Sequence, residues 1–300
     1  MYPRRIALLV RFLARLMQAI VLLTIVFPGK MAYAAIAMES RFFTTSDGVH
    51  LHYLEAGNRN QKTILFIPGW TMPAWIWDQQ INAFAKSYHV VAFDPRGQGD
   101  SEIARSGYEP GRRGRDIGEL IALLGRQPPL VVAWSLGVLD VLAYVKTTGD
   151  QRIAGLVLVD NSIGEEPAPQ PPPPQQPGAA KPPHNVFMHQ FVRGMFRTHQ
   201  PNPWLDRLTQ TCLRTPEPAA KALLAYPVPR SYWRDAVYST DKPVLYVVRP
   251  RWTGQAENLV SKHKSAEMVL FADAGHGLFV DNPARFNASL ADFIRRKVWP

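Results

Sequence analysis

The sequence predicts a doubly wound α/β fold: a mostly parallel sheet with a helical cap inserted after its sixth strand. Three observations predict it. Short continuous apolar runs recur at Thr63–Ile67, Val90–Phe93, Leu130–Ala133, Leu156–Val159, Val244–Val248 and Met268–Phe271. They lack the alternation of a half-exposed strand, and such runs suit strands covered on both faces. Between them, residues 76–86, 115–125, 136–147 and 283–297 carry apolar residues at helical spacing. Strand–helix alternation implies parallel pairing with helices on both faces of the sheet. The third observation is an interruption: residues 161–242 hold no strand-like run but several short helical stretches, among them Val186–Phe196 and Pro218–Leu224. The core is therefore expected in residues 35–160 and 243–300, and the cap in residues 161–242.

The first residues do not belong to that core. Arg4, Arg5, Arg11 and Arg15 form a basic head, Leu16–Phe27 is apolar, Pro28-Gly29 breaks the run, and Ala32-Tyr33-Ala34 supplies small residues. This is the layout of a secretory signal peptide over residues 1–34. The apolar run is short of the roughly 20 residues that a permanent membrane helix needs. Export to the periplasm or the medium is expected, with an uncleaved N-terminal anchor as the alternative and no other membrane attachment. Five of the cations behind the net charge of +10 lie in this segment, which has no acid, so the remainder carries about half that charge. No basic stripe interleaved with aromatics appears, which argues against nucleic-acid binding. The single cysteine, Cys212, excludes an internal disulfide and a cysteine-based metal site. It reads as a small packed residue.

From Arg41 the chain reads as a strand, a turn at Asp47-Gly48 and a second, alternating strand over Val49–Ala56. That is a hairpin signal. Residues 167–183 are dominated by proline and glutamine, with Pro171 to Pro174 consecutive. Proline cannot supply helical or ladder hydrogen bonds, so the stretch reads as an extended surface loop within the cap.

The strongest local signal for chemistry is Leu130-Val131-Val132-Ala133-Trp134-Ser135-Leu136-Gly137. An apolar strand enters a sharp turn holding one serine, and a helix leaves. So tight a turn needs small residues two before and two after the serine, here Ala133 and Gly137. It would lift the hydroxyl above the strand ends, at a helix N-terminus that favours developing negative charge. An ordinary helix-capping serine is the plainer alternative. Asp273-Ala274-Gly275-His276-Gly277 follows the last apolar run, so His276 sits beyond a strand end, within reach of a serine on a central strand. A serine hydroxyl is a weak nucleophile until a base takes its proton. Phe66-Ile67-Pro68-Gly69-Trp70 ends another strand in a turn, and the backbone amides of Trp70 and Leu136 are candidates for an oxyanion hole. The glycine-rich turn Asp94–Ser101 lacks the lysine and following helix of a phosphate loop and reads as structural.

In this order of motifs the chain resembles the α/β-hydrolase family, over about residues 41 to 297. The resemblance is to its capped branch of esterases, carbon–carbon hydrolases, haloperoxidase-like enzymes and haloalkane dehalogenases. Ala133 departs from the usual G-x-S-x-G. The resemblance implies Ser135 as nucleophile, His276 as general base and the Trp70 and Leu136 amides as oxyanion donors. Serine at the elbow argues against dehalogenase or epoxide hydrolase chemistry, which needs aspartate there. The acid commonly lies beyond the strand equivalent to Val244–Val248, yet here that stretch reads Arg249-Pro250-Arg251-Trp252-Thr253. Some capped members carry it at the end of the preceding strand, where this chain has Asp160. Asp160 is the first choice, with Glu257, or no acid at all, as alternatives. Asp273 and Asp281 read as turn and capping residues.

Trp70 and Trp134, beside the catalytic turns, are expected to line an apolar pocket. The activity expected is hydrolysis of a carboxylic ester or related acyl bond in a small, largely apolar substrate, with no metal or organic cofactor. Carbon–carbon bond hydrolysis and perhydrolysis are alternatives on the same scaffold. So is a catalytically silent relative that binds a ligand through its cap. The sequence carries no signal for oligomeric state.

Overall fold

The short apolar runs become strands because their β-branched and aromatic side chains pack on both faces of a pleated sheet. The computed structural model describes residues 37–170 and 182–300. The expected signal segment and the middle of the proline-rich stretch lie outside the described residues. The strands are β1 (Glu39–Thr44), β2 (His50–Ala56), β3 (Thr63–Ile67), β4 (His89–Phe93), β5 (Leu130–Trp134), β6 (Gly155–Val159), β7 (Val244–Val248) and β8 (Ala266–Leu270). They form one sheet in the order β1-β2-β4-β3-β5-β6-β7-β8. β1 and β2 pair antiparallel, as do β2 and β4, and the other pairs are parallel. Every residue of β3, β4, β5, β6 and β7 is buried, as the unalternating runs predict.

Among the described residues three α-helices precede β6: α1 (Asp78–Phe84), α2 (Pro110–Leu123) and α3 (Leu136–Thr148). Between β6 and β7 lie α4 (His184–Gly194), α5 (Asn202–Leu213), α6 (Glu217–Leu223) and α7 (Ser231–Tyr238). α8 (Thr253–Lys262) links β7 to β8, and α9 (Leu278–Asp281) and α10 (Pro283–Phe293) follow. α2 begins five residues earlier than the apolar spacing predicts, because Pro110 supplies a preset φ at its first turn. In α5, Leu205, Leu208, Thr209 and Cys212 give a buried face at helical spacing. Cys212 is fully buried there, and burial pushes its thiol up to about 12, so no thiolate forms at neutral pH.

Strand alternation divides the core in two. Val131 and Ala133 of β5 face α2 and α3 with Ile117, Leu120 and Tyr144. Leu130, Val132 and Trp134 face α1 and α10 with Ile81, Phe84, Phe286 and Leu290. The interval between β6 and β7 packs onto this body through polar as well as apolar contacts: buried Arg113 of α2 donates to the Leu223 carbonyl at 3.0 Å. Among the described residues no helix is long and apolar enough to cross a membrane.

Candidate active site

Parallel strands all point their carboxyl ends one way, so the loops that follow them converge at one edge of the sheet. Ser135 is the first residue beyond β5. Its N–H donates to the Val159 carbonyl at 2.9 Å, which extends the ladder with β6 up to the serine itself. Its backbone then turns into α3 at φ 54° and ψ −121°, a region that a non-glycine residue occupies only under strain. The neighbours show why small residues flank it. A Cβ on Gly137 would lie 2.7 Å from the Pro68 carbonyl oxygen, and one on Gly69 would lie 2.9 Å from Ser135 Cβ. Ala133 is wholly buried, so its methyl group fits where the motif usually has glycine.

His276 comes to this serine from the loop between β8 and α9. Three contacts fix that loop. The Gly275 N–H donates to Asp281 Oδ2 at 2.6 Å, the Trp134 indole N–H to the His276 carbonyl at 2.9 Å, and the Gly277 N–H to the Met195 carbonyl at 3.1 Å. His276 Nε2 then lies 2.9 Å from Ser135 Oγ, and Nδ1 lies 2.6 Å from Asp160 Oδ2. Asp160 follows β6 directly and is itself in a left-handed conformation, with φ 49°. Its N–H donates to the Val247 carbonyl at 2.9 Å, so β7 aims the carboxylate as β6 aims the serine.

Asp160 has a second partner. The Arg249 backbone N–H donates to Oδ1 at 3.1 Å and its guanidinium Nε to Oδ2 at 2.6 Å. The first residue beyond β7 is thus an arginine, and it holds the carboxylate that follows β6. The alternative carboxylate, Glu257, is exposed on α8 and makes no contact with His276. Asp281 braces the loops instead, also accepting from the Arg197 and Thr198 amides. Asp273 is exposed and pairs with Arg285.

The Trp70 and Leu136 N–H groups donate to no acceptor among the described residues. The turn before Trp70 is clamped by the glycine-rich turn: the Gln98 side chain accepts from the Thr71 N–H at 2.6 Å and donates to the Gly69 carbonyl at 3.2 Å. Asp94 and Arg96 of that turn are braced in turn, Arg96 by Asp116 at 2.8 Å. The structural role read for this turn therefore extends to the edge of the site.

A cavity of about 670 Å³ opens beside Ser135, Asp160 and His276. Its apolar wall includes Leu139, Phe191, Met195, Trp233 and Trp252. Neither Trp70 nor Trp134 lines it, which corrects the expectation for both. Trp134 ends β5 on the opposite face, where its ring packs on Phe279 at 5.1 Å and supports the His276 loop. Trp70 donates its indole N–H to the Ala220 carbonyl at 2.7 Å and sits edge-on to Phe191, one layer behind the cavity wall. The expected apolar pocket is also only half right, because Arg230, Arg249 and Arg251 line it too. Sequence reading missed these three, although two cations in place of the usual acid were a visible signal. It also missed Asn161, whose amide donates to the Ser135 carbonyl at 2.8 Å.

Residues 64–289 match the model of the alpha/beta hydrolase family. A non-heme chloroperoxidase from Streptomyces lividans is 32% identical over 117 residues, 39% of this chain and 42% of that protein. A bifunctional esterase/perhydrolase from Acinetobacter calcoaceticus is 33% identical over 119 residues, 39% of this chain and 43% of that protein. The matched stretch thus spans less than half the length of these relatives. An esterase structure from Rhodococcus superposes with a TM-score of 0.73 at 22% identity, covering 87% of this chain and 100% of that one. A bromoperoxidase from Bacillus anthracis gives 0.72 at 20%, over 86% and 100%. By the family match, and by a fold shared with these structures, this protein belongs to the alpha/beta hydrolase family.

Proposed function

We propose that this protein is a serine hydrolase that cleaves a carboxylic ester, or a related acyl bond, through an acyl-enzyme. One observation carries the reading. An unbroken chain from Ser135 Oγ through His276 to Asp160, at 2.9 and 2.6 Å, starts from a strained serine that lines a cavity. Hydrogen-bonded in this way, Nδ1 keeps its proton on the Asp160 side and leaves Nε2 free to accept from the serine hydroxyl.

His276 takes the Ser135 proton as Oγ bonds to the substrate carbonyl carbon. The carbonyl oxygen becomes an oxyanion, stabilised by the Trp70 and Leu136 N–H groups. When the carbon–oxygen bond to the alcohol breaks, His276 Nε2 returns the proton to the leaving oxygen. Water, deprotonated by the same imidazole, then attacks the acyl group and regenerates Ser135. Each oxyanion donor contributes roughly 3–4 kcal/mol in comparable sites. The apolar wall suits the hydrocarbon part of the substrate.

Similarity to an esterase/perhydrolase supports a second reading of the same site, in which hydrogen peroxide replaces water at the second step and releases a peracid. A fluorophosphonate probe tests the first reading. Intact-mass measurement should show one adduct, and peptide mapping should place it on Ser135. An unlabelled, folded protein would overturn it. We also infer export from residues 1–34. N-terminal sequencing of the mature protein should then start near Ala35, and an intact N-terminus on membrane-bound protein would mean an anchor instead.

A further inference from the structure

Ester hydrolysis by itself asks for no positive charge on the substrate side of the site, yet the cavity has an excess of it. Arg230, at the start of α7, and Arg249 and Arg251, after β7, line it against a single carboxylate, Asp160. That carboxylate is already engaged by His276 and Arg249. Arg230 is partly neutralised by Glu166 at 3.1 Å, but its Nε is buried with no acceptor. The Trp233 indole N–H on the same wall is likewise buried without one.

Arg251 is different in kind. Its guanidinium lies 4.9 Å from the centre of the Trp252 ring, which orients it without neutralising it. No carboxylate pairs with it among the described residues, and residues 1–36 and 171–181 contain no aspartate or glutamate that could. A lone exposed arginine is ordinary on a protein surface. One without a counter-ion, on the wall of the cavity that holds the reactive serine and beside two further arginines, is a site for an anion.

We propose that the substrate is an ester bearing a fixed negative charge away from the scissile carbonyl, a carboxylate being the simplest case, and that Arg251 is its counter-ion. Arg230 supplies further donors to the same group, while Arg249 stays committed to Asp160. This rests on the serine hydrolase reading and narrows its substrate from apolar esters to amphipathic, anionic ones.

The kinetic test compares esters matched in length, mono-p-nitrophenyl adipate against p-nitrophenyl hexanoate, and 4-acetoxybenzoate against phenyl acetate. The two pairs place the charge on the acyl side or the leaving side. In one pair the charged ester should win in kcat/KM by about tenfold, the scale of a charge-assisted hydrogen bond, and the advantage should shrink with added salt. Arg251→Gln should bring that ratio close to one, and Arg251→Lys should restore part of it. A ratio at or below one in both pairs, or a preference that Arg251→Gln leaves untouched, overturns the proposal.

A binding test keeps the two readings separable. In Ser135→Ala protein, calorimetry should show monomethyl adipate binding more tightly than dimethyl adipate, and adding Arg251→Gln should remove the difference. Equal binding overturns the anion site whatever the kinetics give. Failure of the hydrolase reading shows elsewhere, as absence of fluorophosphonate labelling.

Discussion

Ser40 of β1 lies 2.9 Å from His52 Nε2, and His52 Nδ1 lies 2.6 Å from Asp94 Oδ2. These are the residue types, the atoms and the distances of the Ser135–His276–Asp160 chain beyond the ends of β5 and β6. The surroundings differ in every respect that matters for chemistry. Ser40 sits in regular edge-strand backbone, in register with Leu54, whereas Ser135 is held at φ 54° ahead of a helix. Ser135 and His276 share a cavity wall, whereas His52 is 2% exposed and covered by the Phe42 ring at 4.9 Å.

The two carboxylates differ in the same way. Asp94 accepts from the Ala74 and Asp100 amides at 2.5 and 3.0 Å as well as from His52, so it ties three segments of backbone together. Atoms of His52, Asp94 and Asp100 lie within 4.8 Å of one another, a spacing compatible with a cation, but backbone donors already occupy Asp94. A serine–histidine–aspartate relay is thus as useful for stapling a hairpin to a turn as for activating a nucleophile. Strained backbone, unpaired amides and adjoining space distinguish the second use.

The sharpest way to break this comparison is to remove each serine. Ser135→Ala should lower ester turnover by roughly 10³-fold or more, and Ser40→Ala should leave kcat/KM within about twofold. The reverse result would mean that the wrong relay has been chosen. Next in size, Asp160→Asn should cost about 10²–10⁴-fold in kcat through loss of imidazole orientation, while Glu257→Gln should change nothing measurable. Loss of turnover only in the second variant would return the acid to α8.

Asp94→Ala probes the structural relay. It orphans the buried Ala74 amide, the part-buried Asp100 amide and a histidine, which should lower stability by roughly 2–5 kcal/mol in chemical denaturation. A change below 0.5 kcal/mol would show that the hairpin does not depend on the relay.

The smallest effect expected is one of pH. Hydrogen bonding from Arg96 holds Asp47, beside the Asp94 turn, down to about 2 from an ordinary 3.8. Its folded value is depressed, so the folded state binds fewer protons. Its stabilisation is therefore present above the ordinary value and lost as pH falls through about 2. Asp47→Asn should flatten the decline of Tm over that acid window. An unaltered slope would place the acid sensitivity elsewhere, for instance at Glu119, which Arg112 and Ser46 also hold below the carboxylate range despite the opposing effect of burial.

Short-range order was legible in the sequence. A five-residue apolar run bounded by turns has little choice but to be a covered strand, and small residues at Ala133 and Gly137 mark a turn that larger ones would block. Ser135, His276 and the positions of the strands along the chain follow from such local constraints, because sterics act over a few bonds. Asp160 was legible only as a preference over Glu257. Both are carboxylates near strand ends, and what separates them is that the β6–β7 ladder continues to Asp160 while α8 carries Glu257 outward.

Other features belong to the tertiary structure alone. Trp134 braces the His276 loop from across 142 positions of sequence. Arg249 reaches Asp160 across 89, and the arginines of the cavity come from segments on either side of β7. Which face a side chain takes is set by strand alternation, but which charge it meets there is set by how distant loops pack. Hence the sequence by itself determined candidates for a nucleophile and a base, and the strands that carry them. Convergence of distant loops decided which carboxylate meets His276, the arginine lining of the cavity and the second relay at the hairpin.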